Sequence, residues 1–193
     1  MATEPVRCWE TGDLAYQRYH DEEWGRPVRD ERGVYERLCL EGFQSGLAWL
    51  TILRKREAFR EAFAGFEPDR VAAFGEPDIE RLLGDAGIVR HRGKIEAAIA
   101  NARATVALRA AGPALHERLW ALAPTEHQAP ATPGDWHAST PESAALAKRL
   151  RAAGFRFVGP TTVYAAMQAC GVVNDHLASC WVRDAVELER RRY

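Results

Sequence analysis

No run of about 18 apolar residues occurs in this chain, so neither a membrane-spanning helix nor a membrane partner is expected. The opening residues, MATEPVRCWE, carry no apolar stretch behind their first charges, which argues against a secretory signal and for a cytoplasmic protein. Excess charge is missing too: 26 Lys and Arg against 27 Asp and Glu leave a formal −1. A nucleic-acid partner therefore has to be held by a local basic patch, not by the field of the whole molecule. Strand-like alternation, internal repeats and low-complexity tracts are all absent from the pattern. Cysteine is scarce, with four residues, Cys8, Cys39, Cys170 and Cys180. An intracellular chain rarely uses them as bridges. Cys39 and Cys170 sit in apolar runs and read as buried small side chains, which leaves one cysteine near each end.

What remains is an ordinary balance for a globular core, 47% hydrophobic and 27% charged over 193 residues. The pattern predicts an all-α fold of about eight to ten helices in one unit spanning 1–193, with no firm internal boundary. Helical periodicity covers 34–53 and 55–66, with short helices over 69–74 and 77–87 and a long alanine-rich helix over 93–112. Residues 123–141 hold four prolines and a glycine and read as a surface loop. Helix returns at 141–154 behind Thr140 as N-cap, again at 163–171, and finally across NDHLASCWVRDAVELERR.

In that last stretch His176 and Cys180 stand four apart, one turn on a helix face. Twelve residues separate Cys8 and His20 at the other end. The four together make a Cys2His2 set, whose two thiolates balance one Zn²⁺. With every position filled by protein, such a metal is structural and has no open site for water. Spacing alone leaves zinc one reading among several, since such pairs also arise by chance. A clip between the chain ends closes a loop of nearly the whole chain, which by analogy with disulfides stabilises by ~4–5 kcal/mol.

A second signal is GFRFVGPTTVYAAMQA, residues 154–169. Gly159 permits close approach of a backbone, and the following helix start offers free N–H groups and the hydroxyls of Thr161 and Thr162. This suits a phosphate held without sequence reading, although an ordinary tight turn between helices has the same outline. Arg90 and Lys94 fall in a basic cluster ahead of the long helix and read as further backbone contacts, against the plainer reading of a solvated turn. The N-terminal third is crowded with rings: Trp9, Tyr16, Tyr19, Trp24 and Trp49. Glu41 interrupts the apolar stretch LCLEGFQSGLAW, where a carboxylate is costly unless paired or turned outward. A carboxylate among rings suits a flat cationic ligand, and a flipped-out alkylated base is one.

Taken together, YHDEEWG (19–25), LCLEGFQSGLAWLTIL (38–53), DAGIVRHRGKI (85–95), GFRFVG (154–159) and YAAMQACGVVNDH (164–176) resemble the 3-methyladenine DNA glycosylase I family of the helix–hairpin–helix superfamily. The resemblance covers most of the chain. It implies a helix–hairpin–helix glycosylase fold whose termini are joined by one structural zinc on Cys8, His20, His176 and Cys180. It also implies a monomeric, monofunctional enzyme that removes 3-methyladenine from double-stranded alkylated DNA without a nucleotide cofactor. Glu41 takes the place of the pocket carboxylate, Trp49 and Tyr16 of the stacking rings, with Trp9 and Tyr19 beside them. Gly159, Thr161 and Thr162 take the place of the DNA-backbone hairpin. No role falls to Asp175. Two departures stand out: Cys8 and Trp9 are adjacent, which bears on the aim of Trp9, and Phe43 replaces a glutamine expected on the pocket wall. The rival readings are a zinc-stabilised DNA-binding module without catalysis, which needs no Glu41 pocket, and a zinc hydrolase, which needs an open metal position.

Overall fold

The computed structural model describes residues 5–192. Among them are ten α-helices, two three-residue 3-10 helices and no strand, the all-α class predicted. In chain order the helices are α1 Leu14–Glu22, α2 Glu31–Gln44, α3 Trp49–Ala62, α4 Pro68–Ala72, α5 Glu76–Gly84, α6 Arg92–Ala111, α7 Leu115–Trp120, α8 Pro141–Ala152, α9 Pro160–Ala169 and α10 Arg183–Arg191. Local chemistry explains several starts. Asp13 accepts from Tyr16 N–H, Asp30 from Gly33 N–H and Thr140 from Ser143 N–H, each meeting an otherwise orphaned donor. Pro141 and Pro160 stand in first turns, where a missing N–H is harmless.

The core is built around α2. Val34, Tyr35, Leu38, Cys39, Leu40 and Phe43 are all buried, so the helix is apolar around most of its girth, as a central helix must be. Against it pack α6, with the small side chains Ala97, Ala98 and Ala102, and α9, with Val163, Ala166 and Met167. The Tyr35 hydroxyl donates to the Ala98 carbonyl at 2.9 Å and so satisfies the one polar atom of that ring. A smaller cluster of Cys8, Leu177, Cys180 and Val182 lies under Trp9, Trp24 and Trp136. There the two ends of the chain meet: Trp181 N–H donates to the Val6 carbonyl at 3.1 Å, and Arg26 pairs with Glu189.

Two predicted elements change. The helical pattern over 34–53 is broken by a turn at 45–48, where Gly46 takes φ +82°, a value that favours glycine. Glu41 and Trp49 consequently stand on different helices. The single helix expected from 174 onward is instead a series of turns to 182, with α10 starting at Arg183. The carbonyls a helix would use internally are taken by distant donors: Arg183 holds those of Asn174 and His176, and the Trp136 indole holds that of Asp175. Helices α1 and α7 lie outside the predicted set. Residues 123–141 form the expected loop, with one short turn at Pro133–Asp135. None of the helices is long and apolar enough to cross a membrane.

Candidate active site and metal centre

Cys8, His20, His176 and Cys180 converge, all buried, with their ligand atoms within 4.8 Å of one another. Cys8 Sγ lies 3.3 Å from His176 Nδ1, and Cys180 Sγ lies 3.4 Å from the same nitrogen and 3.5 Å from His20 Nε2. A tetrahedral ion with ordinary Zn–S and Zn–N bonds separates its ligand atoms by about 3.6 Å, so the donors are already spaced for one. The outer partners agree. His20 Nδ1 sits 2.7 Å from Asp21, itself clamped by Arg7, which turns Nε2 toward the cluster as an acceptor, where the Cys8 N–H reaches it at 3.2 Å. His176 Nε2 donates to the Trp24 carbonyl at 2.9 Å, which leaves Nδ1. Leu177 N–H points at Cys8 Sγ from 3.3 Å and favours a thiolate. The two sulfurs oppose one another: hydrogen bonding to Cys180, then burial, pushes Cys8 up, while the bond from Cys8 pulls Cys180 down. A divalent cation removes that conflict. The ligands come from turns and from α1, not from one helix face.

Beside the clip is a cleft of about 380 Å³ walled by Trp9, Tyr16, Tyr19, Trp24, Trp49 and Glu41. The chain thus brings its predicted pocket residues onto one surface from three places: the N-terminal segment, α1 and the α2–α3 corner. The Trp9 ring lies tilted against Tyr16, 5.2 Å between centroids, and Tyr19 lies 5.3 Å from Trp49. The adjacency of Cys8 and Trp9 does not turn the ring away. Phe43 is the opposite case. It is buried in the core, 4.6 Å from Phe59, and the cleft wall one residue later is Gln44.

Glu41 is 7% exposed, and among the described residues its carboxylate has no hydrogen-bond partner. Burial raises it to about 8; Arg37 opposes this and loses. Burial, and then the Glu41 charge, pushes the Tyr16 and Tyr19 phenols up, so both stay protonated. The indole N–H groups of Trp9 and Trp49 are also buried with no partner among the described residues. Unmatched polar atoms gathered around one cleft are what a ligand site leaves behind.

A family model described as methyladenine glycosylase matches residues 9–184. The chain belongs to the methyladenine glycosylase family. It is 47% identical over 179 residues to DNA-3-methyladenine glycosylase 1 of Escherichia coli K12, covering 90% of this chain and 95% of that one. A crystal structure of 3-methyladenine DNA glycosylase I superposes with a TM-score of 0.87 at 48% identity, covering 91% of this chain and 98% of the other. A variant 3-methyladenine DNA glycosylase I in complex with 3-methyladenine superposes with a TM-score of 0.85 at 35% identity, covering 90% and 94%.

A methyladenine glycosylase also needs a surface for DNA. Gly159 caps α9, and a Cβ added there meets nothing within 4 Å, so the approach to the helix start is open. Thr161 is exposed and borders the cleft, which puts the hairpin beside the pocket, and Thr162 is half-buried. The hairpin is pinned from α6 by a two-way amide bond: Asn101 accepts from Arg156 N–H at 2.7 Å and donates to its carbonyl at 3.1 Å. Arg90 is exposed and has no ion pair among the described residues. Lys94 does not fit the backbone-contact reading. Its ammonium is buried and donates to the Phe43 carbonyl at 2.8 Å and the Ser45 carbonyl at 2.6 Å, where α2 ends. Lys94 therefore caps α2 and braces the 45–48 turn.

Several cleft residues escape the sequence reading. Gln44 stands three residues after Glu41, and Tyr164 and Gln168 stand four apart on α9, so helical spacing could have found them. Both α9 residues hold the buried Asp175, which also faces His127 at 2.6 Å. Burial raises that carboxyl, but the bonds from His127, Gln168 and Tyr164 outweigh it and hold it below the usual range. Trp136 comes from a loop without periodicity and gave no signal.

Proposed function

We propose that this protein is a monofunctional DNA glycosylase that releases 3-methyladenine from alkylated double-stranded DNA, acting as a monomer in the cytoplasm. The observation that carries the reading is an unpartnered, buried Glu41 among aromatic rings. A module that only held DNA backbone would have no use for it. The relatives named as 3-methyladenine glycosylases, and one solved with that base, point the same way.

Methylation at N3 gives adenine a positive charge. Trp49 and Tyr16 stack on the extruded base, with Tyr19 and Trp9 beside them. Glu41 accepts hydrogen bonds from its amino edge. Because the free carboxyl keeps its proton up to about pH 8, arrival of the cation sends that proton to solvent and leaves an ion pair in the cleft. Neutral adenine brings no charge to repay the ionisation, and the site discriminates against it. The bond from C1′ to the base then breaks, and its electron pair leaves with the base, which departs neutral. Water adds to C1′ and loses a proton, which leaves an abasic site. The ionised Glu41 also stabilises charge developing on the sugar.

Gly159, Thr161, Thr162 and Arg90 hold the phosphate backbone beside the cleft. Cys8, His20, His176 and Cys180 hold one zinc ion. It supplies a cross-link and takes no part in chemistry, since four protein ligands leave no position for water. That also argues against a zinc hydrolase. The deciding experiment is chromatography of bases freed from methylated duplex DNA by wild type and by Glu41→Gln. Release of 3-methyladenine by wild type, reduced at least 100-fold in the mutant, is expected. No release by folded, metal-loaded wild type would leave only the DNA-binding module.

A further inference from the structure

Residues 123–141 are predicted as a plain surface loop, yet they close one side of the cleft. The loop is stiffened from within: the Asp135 carboxylate accepts from Thr132 N–H at 2.8 Å, Thr132 Oγ1 at 3.0 Å and Ala131 N–H at 3.2 Å. It is also tied to the 174–180 segment at three points. His127 Nε2 donates to the Asp175 carboxylate at 2.6 Å, Ala178 N–H donates to the Pro130 carbonyl at 2.8 Å, and the Trp136 indole donates to the Asp175 carbonyl at 2.9 Å. So held, the Trp136 ring stands edge-on to Trp9 and Trp24, 6.3 and 6.2 Å between centroids.

Behind this wall lies a second cavity of about 790 Å³, larger than the cleft that contains Glu41. Trp136, His137 and Tyr164 line both, so they form the partition between them. Tyr164 is fixed from below by Asp175. Trp136 is the largest side chain of the partition, and the only one of the three whose ring also packs on the cleft's aromatic wall. Taking it away merges the two spaces.

We infer that Trp136 is a specificity-determining residue, a rigid partition that limits the base cleft to a small N3-alkyl purine, with His127 and Asp175 as the positioning residues that hold it shut. In this arrangement the base lies with its N3 side toward the indole, so that a methyl group fits in front of the ring and a bulky N3 substituent requires the space behind it. The energetic logic is steric exclusion by a side chain that its anchors prevent from yielding. This inference rests on the glycosylase reading above.

The test uses full-length, metal-loaded protein and two duplex substrates, one carrying 3-methyladenine and one carrying N3-benzyladenine. Single-turnover release is measured for wild type, Trp136→Ala, Trp136→Phe and His127→Ala, with metal content and melting temperature recorded for each. The ratio of benzyl to methyl release is expected to rise at least tenfold in Trp136→Ala, less in Trp136→Phe, and several-fold in His127→Ala, which keeps the indole and removes one of the three ties of its loop. A parallel fall in both substrates, or an unchanged ratio in a folded variant, overturns the inference and leaves Trp136 as a cover for the metal clip. If Trp136→Ala loses its metal, His127→Ala decides by the same ratio. If wild type releases neither base, the glycosylase reading has failed separately. Trp136 is then judged by binding of free 3-methyladenine and free N3-benzyladenine, where an unchanged preference in Trp136→Ala also overturns it.

Discussion

Glu41 shows a single side chain held against its own preference. Its folded-state value of about 8 lies above the ordinary value of 4.5, so the folded protein keeps a proton that the unfolded chain has lost. Stability is therefore full below pH 4.5, falls as pH rises toward 8, and levels off above. The slope is at most roughly 1.4 kcal/mol per pH unit. Glu41→Gln keeps the shape without the ionisation. Its melting temperature should exceed that of wild type, and the gap should widen from pH 4.5 to 8 while base release is lost. Equal melting curves at pH 8 would show that the carboxyl is not strained. A second expectation concerns binding. Calorimetry in buffers of different ionisation heat should register proton release when wild type binds, at pH 7, duplex DNA carrying an uncleavable cationic analogue of the N3-methylated nucleotide, and none for Glu41→Gln.

Elements carry a different lesson. Lys94 and Arg90 looked alike in the basic run 90–94 because sequence gives charge but not direction. In the fold one points outward and the other plugs the end of α2. Replacing Arg90 by Ala should reduce the slope of log affinity against log salt by about one phosphate contact, ~0.9. Replacing Lys94 by Met should leave that slope alone, speed amide exchange at 45–48, and slow release at saturating enzyme about tenfold. A slope change in Lys94→Met would restore it to the DNA face. Helix α8 was legible because its apolar period agreed with its Thr140 cap, and α6 from its alanine-rich run, whereas α2 was read as one helix with the start of α3. The 174–182 turns were not legible, because their hydrogen bonds run to Trp136 and Arg183, partners that local periodicity does not register. The same limit hid the partition: 123–141 reads as loop from its prolines, and its attachment to Asp175 is purely tertiary.

For the molecule as a whole, the proposed metal clip matters most. We read residues 1–193 as one folding unit whose core runs from Val34 to Val173 and whose outer shell is closed by the four ligands. Purified protein should hold one zinc per chain. Removing it should cost up to ~4–5 kcal/mol by analogy with a long-loop cross-link. Cys8→Ala should lose the metal, and its melting temperature should fall by several degrees. Mass spectrometry under native conditions reads the first and thermal scans the second. Metal-free wild type with unchanged stability would remove the clip from the energetics. The residue types of the four ligands were visible in the sequence, and their convergence followed from the family resemblance; spacing by itself pointed wrongly to a helical pair.

The clip has a consequence in time. A chain is made from its N-terminus, and early segments fold as they emerge. Trp9, Tyr16 and Tyr19 are made early, yet the cluster that seats Trp9 beside the clip includes Leu177 and Cys180, made more than 150 residues later. A nascent chain can assemble the core around α2 long before it owns a finished pocket. Any product that stops short of His176 would carry the hairpin proposed to hold DNA and lack a complete place to receive a base. It would hold DNA backbone without recognising a lesion, so the enzyme's competence is decided by the turns at 174–182.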